Sequence, residues 1–227
     1  MIAALARAPT ARIFRTPRLW ISAGAWSALA IASAIAMRAG RSPYGAFHTL
    51  VGIYAVVALP LSVYALAGTV LGPRSLSSTT AQLACFGAPP ARVAGVAIGI
   101  TMLAAGVLSG ALAALLACIA HGAADPPLAV DAVTSAYVGA VAGVAYAAWF
   151  GLGSTLGRRG GGRGLLLVLD WILGATNGVG AMMTPRGHLR NLLGGQAPLD
   201  ISERASLAWI AVIAAACVFI VVVRARR

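Results

Sequence analysis

Residues 93–120 read VAGVAIGITMLAAGVLSGALAALLACIA, a run without one charged side chain. Its length decides the fold class. A bilayer core of roughly 30 Å takes about 20 apolar residues to cross as a helix, so this stretch spans with residues to spare and predicts a tilted helix. Five further runs of the same character lie at about 19–37, 49–71, 132–156, 165–183 and 205–223. Sixty per cent of the 227 residues are apolar, ten per cent are charged, and the mean hydropathy is +0.89. A soluble domain of this length has too little interior to hide so much apolar side chain. Helices satisfy their own backbone hydrogen bonds in lipid, and no ten-residue alternating pattern suggests a barrel. The expected fold is all-α: a polytopic membrane protein of six transmembrane helices.

Orientation follows from charge. The net charge of +12 comes from Arg alone, because the chain contains no Lys. The segment 1–18 carries Arg7, Arg12, Arg15 and Arg18 among Ile2, Leu5, Ile13 and Phe14. It predicts a basic amphipathic helix on the inner membrane surface. Ala32-Ser33-Ala34 imitates a signal-peptide cleavage site, but the apolar run before it is too long for a signal h-region. Twelve of the 17 Arg fall in that segment, at Arg74 and Arg92, in the glycine loop 157–164 and at the C-terminus, with no acid among them. Four of the five acids fall on the opposite side. Excess Arg marks the cytoplasmic side, so both termini are expected there. The expected organisation is an interface segment at 1–18, a transmembrane domain at 19–223 and a basic tail at 224–227.

The same census excludes functions. Without Lys there is no Schiff-base cofactor and no GxxxxGK[ST] phosphate loop, so nucleotide hydrolysis belongs to another chain. The Arg residues cap apolar runs and form no patch for nucleic acid. Cys85, Cys118 and Cys217 lack metal or redox spacing. His48, His121 and His188 fall at outer helix ends rather than in facing pairs, which argues against haem, and no His/Cys/Asp cluster shows ligand spacing along the chain. No catalytic residue, metal or cofactor is expected on this chain.

Two interruptions between spans carry more information than the spans. In the loop 72–92, Leu76, Thr80, Leu83 and Phe86 recur at near-helical spacing between Gly72-Pro73 and Gly87-Ala88-Pro89-Pro90, with Arg92 just beyond. A short helix along the cytoplasmic face is expected. The outer segment 184–204 holds Pro185, His188 and Leu192, with a helix start at Thr184-Pro185 and an end at Gly194-Gly195. Within the spans, Asp170 is the one ionisable side chain. A charge in hydrocarbon costs at least about 2.5 kcal/mol, so Asp170 faces protein or water. It reads either as a cargo or proton site or as a carboxylate reaching toward Arg163, seven residues back on the same helical face. Thr176 and Asn177 make the fifth span the most polar, as a helix interface or pathway requires. Gly95/Gly99, Gly106/Gly110 and Gly139/Gly143 are small-xxx-small pairs that permit close helix approach.

Taken together, the basic N-terminal segment, the loop from Arg74 to Arg92, and the stretch Pro185-Arg-Gly-His-Leu-Arg-Asn-Leu-Leu-Gly-Gly195 ahead of a last span ending in Arg resemble the permease subunit of ATP-binding-cassette exporters of the second type. The resemblance implies that the loop is a coupling helix, with Leu76, Thr80, Leu83, Phe86 and Arg92 facing an ATPase, and that Pro185, His188 and Leu192 belong to an outer re-entrant segment. The family often opens the coupling loop with an acidic residue, where this chain has Arg74. As partners the resemblance implies a second permease chain, two ATPase subunits holding ATP and Mg, and a bacterial-type cytoplasmic (inner) membrane. Two other classes share the helix count: the substrate-capturing membrane subunit of a vitamin uptake transporter, with a pocket between loops 38–48 and 184–204, and a structural subunit of a larger membrane complex.

Overall fold

The computed structural model describes residues 2–72, 76, 80, 87–157 and 161–226, with side chains from residue 5 onward. All regular elements among them are helical. Helix α1 (Ile2–Arg15) stops where Pro17 opens α2 (Pro17–Ala39); a proline is tolerated in the first turn of a helix, where its missing N–H costs nothing. Helix α1 is amphipathic as expected, but its apolar face meets protein. Pro9 and Ile13 are buried against the bundle, and the Arg12 guanidinium donates to the Val70 carbonyl at 3.4 Å, a cation against a helix C-terminus.

Helix α3 (Gly45–Val70) is wound as a π-helix from Leu50 to Ala58. The cause is next in sequence: Pro60 has no N–H, and the hydrogen-bond ladder ahead of it slips by one, so that Leu59 N–H reaches Tyr54 O. Helices α4 (Pro90–Ala120) and α5 (Leu128–Gly153) form the central antiparallel pair. Glycines set their separation. A Cβ on Gly143 would stand 2.5 Å from Ala105 O, one on Gly110 2.8 Å from Ala136 O, and one on Gly139 2.8 Å from Ser109 O. Gly95 and Gly99 face nothing within 4 Å, so of the three small-residue pairs only two are used. Tyr54, Tyr146 and Phe150 are the largest fully buried side chains, where α3 meets this pair, with the Tyr146 and Phe150 ring centroids 5.8 Å apart.

Among the described residues, five helices are long and apolar enough to cross a membrane: α2, α3, α4, α5 and α9 (Glu203–Arg224). Their limits lie within four residues of the expected ones. The expected fifth span, 165–183, is not a single helix. It divides into α6 (Gly162–Leu173), a turn, and the short α7 (Val179–Met182), followed by α8 (Pro185–Leu192) and a tight turn at Pro198–Asp200. Helix α6 has 12 residues, about 18 Å at 1.5 Å per residue, well short of the hydrocarbon thickness. Gly174, Gly178 and Gly180 among apolar neighbours keep the hydropathy of a span while breaking its backbone.

The ends of the bundle differ in charge. The basic end gathers α1, the chain around Gly157 and the C-terminus. The opposite end, acidic in that it holds four of the five acids, gathers the α2–α3 and α4–α5 connections, with Asp125 and Asp131, and the approach to α9, with Asp200 and Glu203. Arg38, Arg41, Arg186, Arg190 and Arg204 belong to the same end.

Candidate functional site

The broken stretch α6–α8 is where polar side chains enter the bundle. Asp170, in the last turn of α6, is fully buried. Tyr146 of α5 donates its hydroxyl to Oδ2 at 2.7 Å, and the backbone N–H of Arg186 donates to Oδ1 at 3.1 Å. Arg186 stands in the first turn of α8, where a helix has free N–H groups and favours an anion. One carboxylate thus ties the end of α6 to α5 and to the start of α8. The close approach depends on Gly174, where a Cβ would lie 2.6 Å from Asp170 O, 2.7 Å from Arg186 Cβ and 2.9 Å from Thr184 Oγ1.

Asp170 does not pair with Arg163. That guanidinium lies at the basic end of α6, where a Cβ on Gly153 would meet Arg163 Cα at 2.8 Å, and its Nε and Nη1 have no hydrogen-bond partner. Helical phase puts the two residues on one face, but Tyr146 and the α8 backbone supply Asp170 with nearer donors. Trp171 extends the network: its carbonyl accepts from Arg186 Nη1 at 2.9 Å, and its indole N–H donates to Val56 O at 2.8 Å. Val56 O is the carbonyl that Pro60, four residues on, leaves without an α-helical donor.

His188 is buried in α8. Nε2 lies 3.0 Å from Met182 O, which can only accept, so Nε2 carries the proton and Nδ1 accepts from the Ser206 hydroxyl at 3.2 Å. Asn191 Nδ2 donates to the same hydroxyl oxygen at 2.8 Å and to Ile201 O at 3.0 Å. Burial pushes the imidazole below its ordinary pKa and holds it neutral. The Ser206–His188 contact looks like half of a nucleophilic pair, but both residues are enclosed and the second ring nitrogen is held by a backbone carbonyl. It is a latch between α8 and α9.

Thr176 and Asn177 are exposed in the turn after α6 and lie on no spanning helix. Arg190 of α8 closes that turn, donating to Ala175 O, Thr176 O, Asn177 Oδ1 and Gln196 O. Of the expected outer segment, Pro185 opens α8, His188 packs it, and Leu192 ends it beside Gly194, whose φ of +81° turns the chain out of the helix. At the other interruption, Leu76 and Thr80 are helical and buried, and Leu76 N–H bonds to Ser154 O at the end of α5. Leu83 and Phe86 lie outside the described residues. Arg92, in the first turn of α4, is exposed beside a cleft of about 530 Å³ that it shares with Val222 and Arg226 of the C-terminal end.

At the acidic end the structure assembles a group invisible along the chain. His121, Asp125 and Asp131 each place a ligand-type atom within 4.8 Å of the others. Asp125 and Asp131 line a cleft of about 360 Å³ together with Tyr44, Phe47, Leu192, Leu193 and Glu203. Tyr146, Arg186, Arg190 and Ser206 were not legible as site residues, since each acts through a partner 13 or more residues away. No protein-family model, curated protein or solved structure matches the chain.

Proposed function

We propose that the chain is the permease subunit of an ATP-binding-cassette exporter, with six membrane-embedded segments, the basic end and both termini in the cytoplasm of a bacterial-type cell, and the acidic end outside. In this reading α6 to α8 form the fifth, re-entrant segment. A second permease chain completes the translocation path, and two ATPase subunits bring ATP and Mg to the basic end. The observation that carries the reading is the division of the fifth apolar run into α6 and α7, followed by α8 ahead of α9, where the resembled family has its outer re-entrant segment. The loop containing Leu76 and Thr80 is tied to the end of α5 through Ser154, so a push on it would pass into the central helix pair. Rigid helices hinged on such contacts transmit movement between sites. Purification in mild detergent from the native host, followed by mass spectrometry of the intact complex, tests it. Two permease chains with a nucleotide-binding subunit are expected; a folded chain that never carries an ATPase overturns the proposal.

A second reading has an observation of its own. The 360 Å³ cleft lies between the 38–48 and 184–204 segments, where a vitamin-capturing subunit would hold its ligand, and its size suits a small molecule. An organic ligand released stoichiometrically when the purified protein is denatured would favour that reading.

A further inference from the structure

We propose that the acidic end of the bundle binds a divalent transition-metal ion, zinc above all, through His121 Nδ1 and one carboxylate oxygen each of Asp125 and Asp131. The inference goes beyond the transport reading and does not rest on it.

The first support is an unfilled pairing. His121 Nδ1 and Asp131 Oδ2 are both shut off from solvent and have no hydrogen-bond partner, and they stand 4.0 Å apart. That is too far for a hydrogen bond and leaves a gap between an imidazole nitrogen and a carboxylate oxygen that are otherwise no more than a long ion pair. Buried polar atoms in native proteins are nearly always satisfied, so two facing each other across such a gap call for a third body. The size is right for a metal. Three atoms at the corners of a triangle about 4 Å on edge lie about 2.3 Å from its centre, and zinc takes imidazole nitrogen and carboxylate oxygen at about 2.0–2.2 Å. The three atoms lie within 4.8 Å of one another, so binding needs the His121 ring, which no hydrogen bond holds at Nδ1, to turn inward by a few tenths of an ångström.

The second support is what holds the ligands. Asp125 Oδ2 accepts from the N–H groups of Ala46 and Gly122, each at 2.9 Å, which pins the connecting loop to the start of α3. The Ser135 hydroxyl, one turn along α5, points at Asp131 Oδ1 from 3.3 Å. Carboxylates oriented by outer donors are a regular property of metal sites. The third support is access. Asp125, Asp131 and Glu203 all line the 360 Å³ cleft, so three of the chain's five acidic residues converge there. The cleft provides an entry path and room for water on the remaining coordination positions. One imidazole with two carboxylates is a mixed nitrogen–oxygen set, which suits zinc and is wrong for magnesium, an ion that favours all-oxygen octahedra.

The test uses the full chain, purified in detergent without a histidine tag and stripped with chelator. Zinc is titrated with magnesium as the control, reading metal stoichiometry and thermal unfolding. One zinc per chain is expected, with a rise in Tm that magnesium does not reproduce. His121→Ala and Asp131→Asn should each weaken zinc binding by more than the 10–100-fold that losing an outer-sphere donor costs, and Ser135→Ala should fall within that range. Elution of the zinc-free variants at the wild-type volume shows that they are folded. If zinc leaves wild-type Tm unchanged, or binds the three variants as it binds wild type, the site is no more than a long ion pair and the proposal is wrong. If His121→Ala does not fold, Ser135→Ala and Asp131→Asn decide the question alone.

Discussion

Along the α4–α5 seam, backbone meets backbone because side chains are missing, and contact depends on Gly106, Gly110, Gly139 and Gly143. Between α6 and α8 the backbone is broken and polar, and contact depends on what side chains add: Asp170, Arg186, His188 and Arg190. Apolar helices in lipid gain nothing from burying more hydrocarbon, so they associate by close van der Waals approach, which glycine permits. Irregular backbone at the same depth leaves N–H and C=O groups without partners, and these are tolerated only where protein supplies them. The seam is therefore the rigid part of the molecule, and the broken segment is held by a small number of specific bonds. A device that must move is more economically built from the second kind of contact.

That contrast can be broken at its strongest point first. Gly143→Leu places a branched side chain where a Cβ alone would be 2.5 Å from Ala105 O. Overpacking costs about 1–3 kcal/mol, and here the nearest clash is with the Ala105 backbone, which cannot turn aside, so loss of the folded protein is expected by fluorescence-detected chromatography. The paired substitution Gly99→Leu meets open space and should leave the elution profile and Tm unchanged within error. Equal damage from both would dissolve the distinction between the used and the unused glycine pairs.

Asp170 gives the next largest effect. Asp170→Leu strands the Tyr146 hydroxyl and the Arg186 N–H without an acceptor, at about 1–3 kcal/mol for each. Asp170→Asn keeps an acceptor oxygen, and should recover more than half of the loss in Tm measured in detergent. If Asn is as damaging as Leu, the charge itself matters and the carboxylate does more than tie helices together.

The smallest effect is a pH dependence. Burial depresses the His188 pKa below the ordinary 6.5, so the folded protein holds the ring neutral. The unfolded chain takes up a proton as pH falls through about 6.5 and the folded chain does not, so stability is level above that pH and declines below it. In His188→Gln this part of the decline should vanish from a series of thermal melts. A wild type whose melting temperature is flat from pH 7.5 down to 5 would remove the neutral latch between α8 and α9.

Much of this architecture is legible in the sequence. Five spans emerge within four residues of their observed limits, because hydropathy over 20 residues is a one-dimensional property. Pro185 opens a helix and Gly194 closes it, as expected, because proline and glycine act through their own backbone; Pro90, expected only to stop the loop before it, opens α4. The run 165–183 misleads for the same reason. Its average is that of a span, and the glycines that break it weigh little in an average. Small-residue pairs could be found but not sorted, since only the position of the facing helix tells Gly143 from Gly99.

What the sequence by itself determined is therefore everything governed by nearest neighbours and composition: an all-helical chain, apolar segments long enough to cross a membrane, its charge asymmetry, and the two interruptions between those segments. Tertiary structure alone decided which groups meet. Asp170 could be singled out as a buried carboxylate, but its donors come from Tyr146, 24 residues earlier, and Arg186, 16 later. His121, Asp125 and Asp131 have unremarkable spacing until the end of α4 and the start of α5 are folded side by side. The physical reason is common to both: the free energy of a buried polar group depends on atoms within about 3 Å, and distance along the chain says little about which atoms those are.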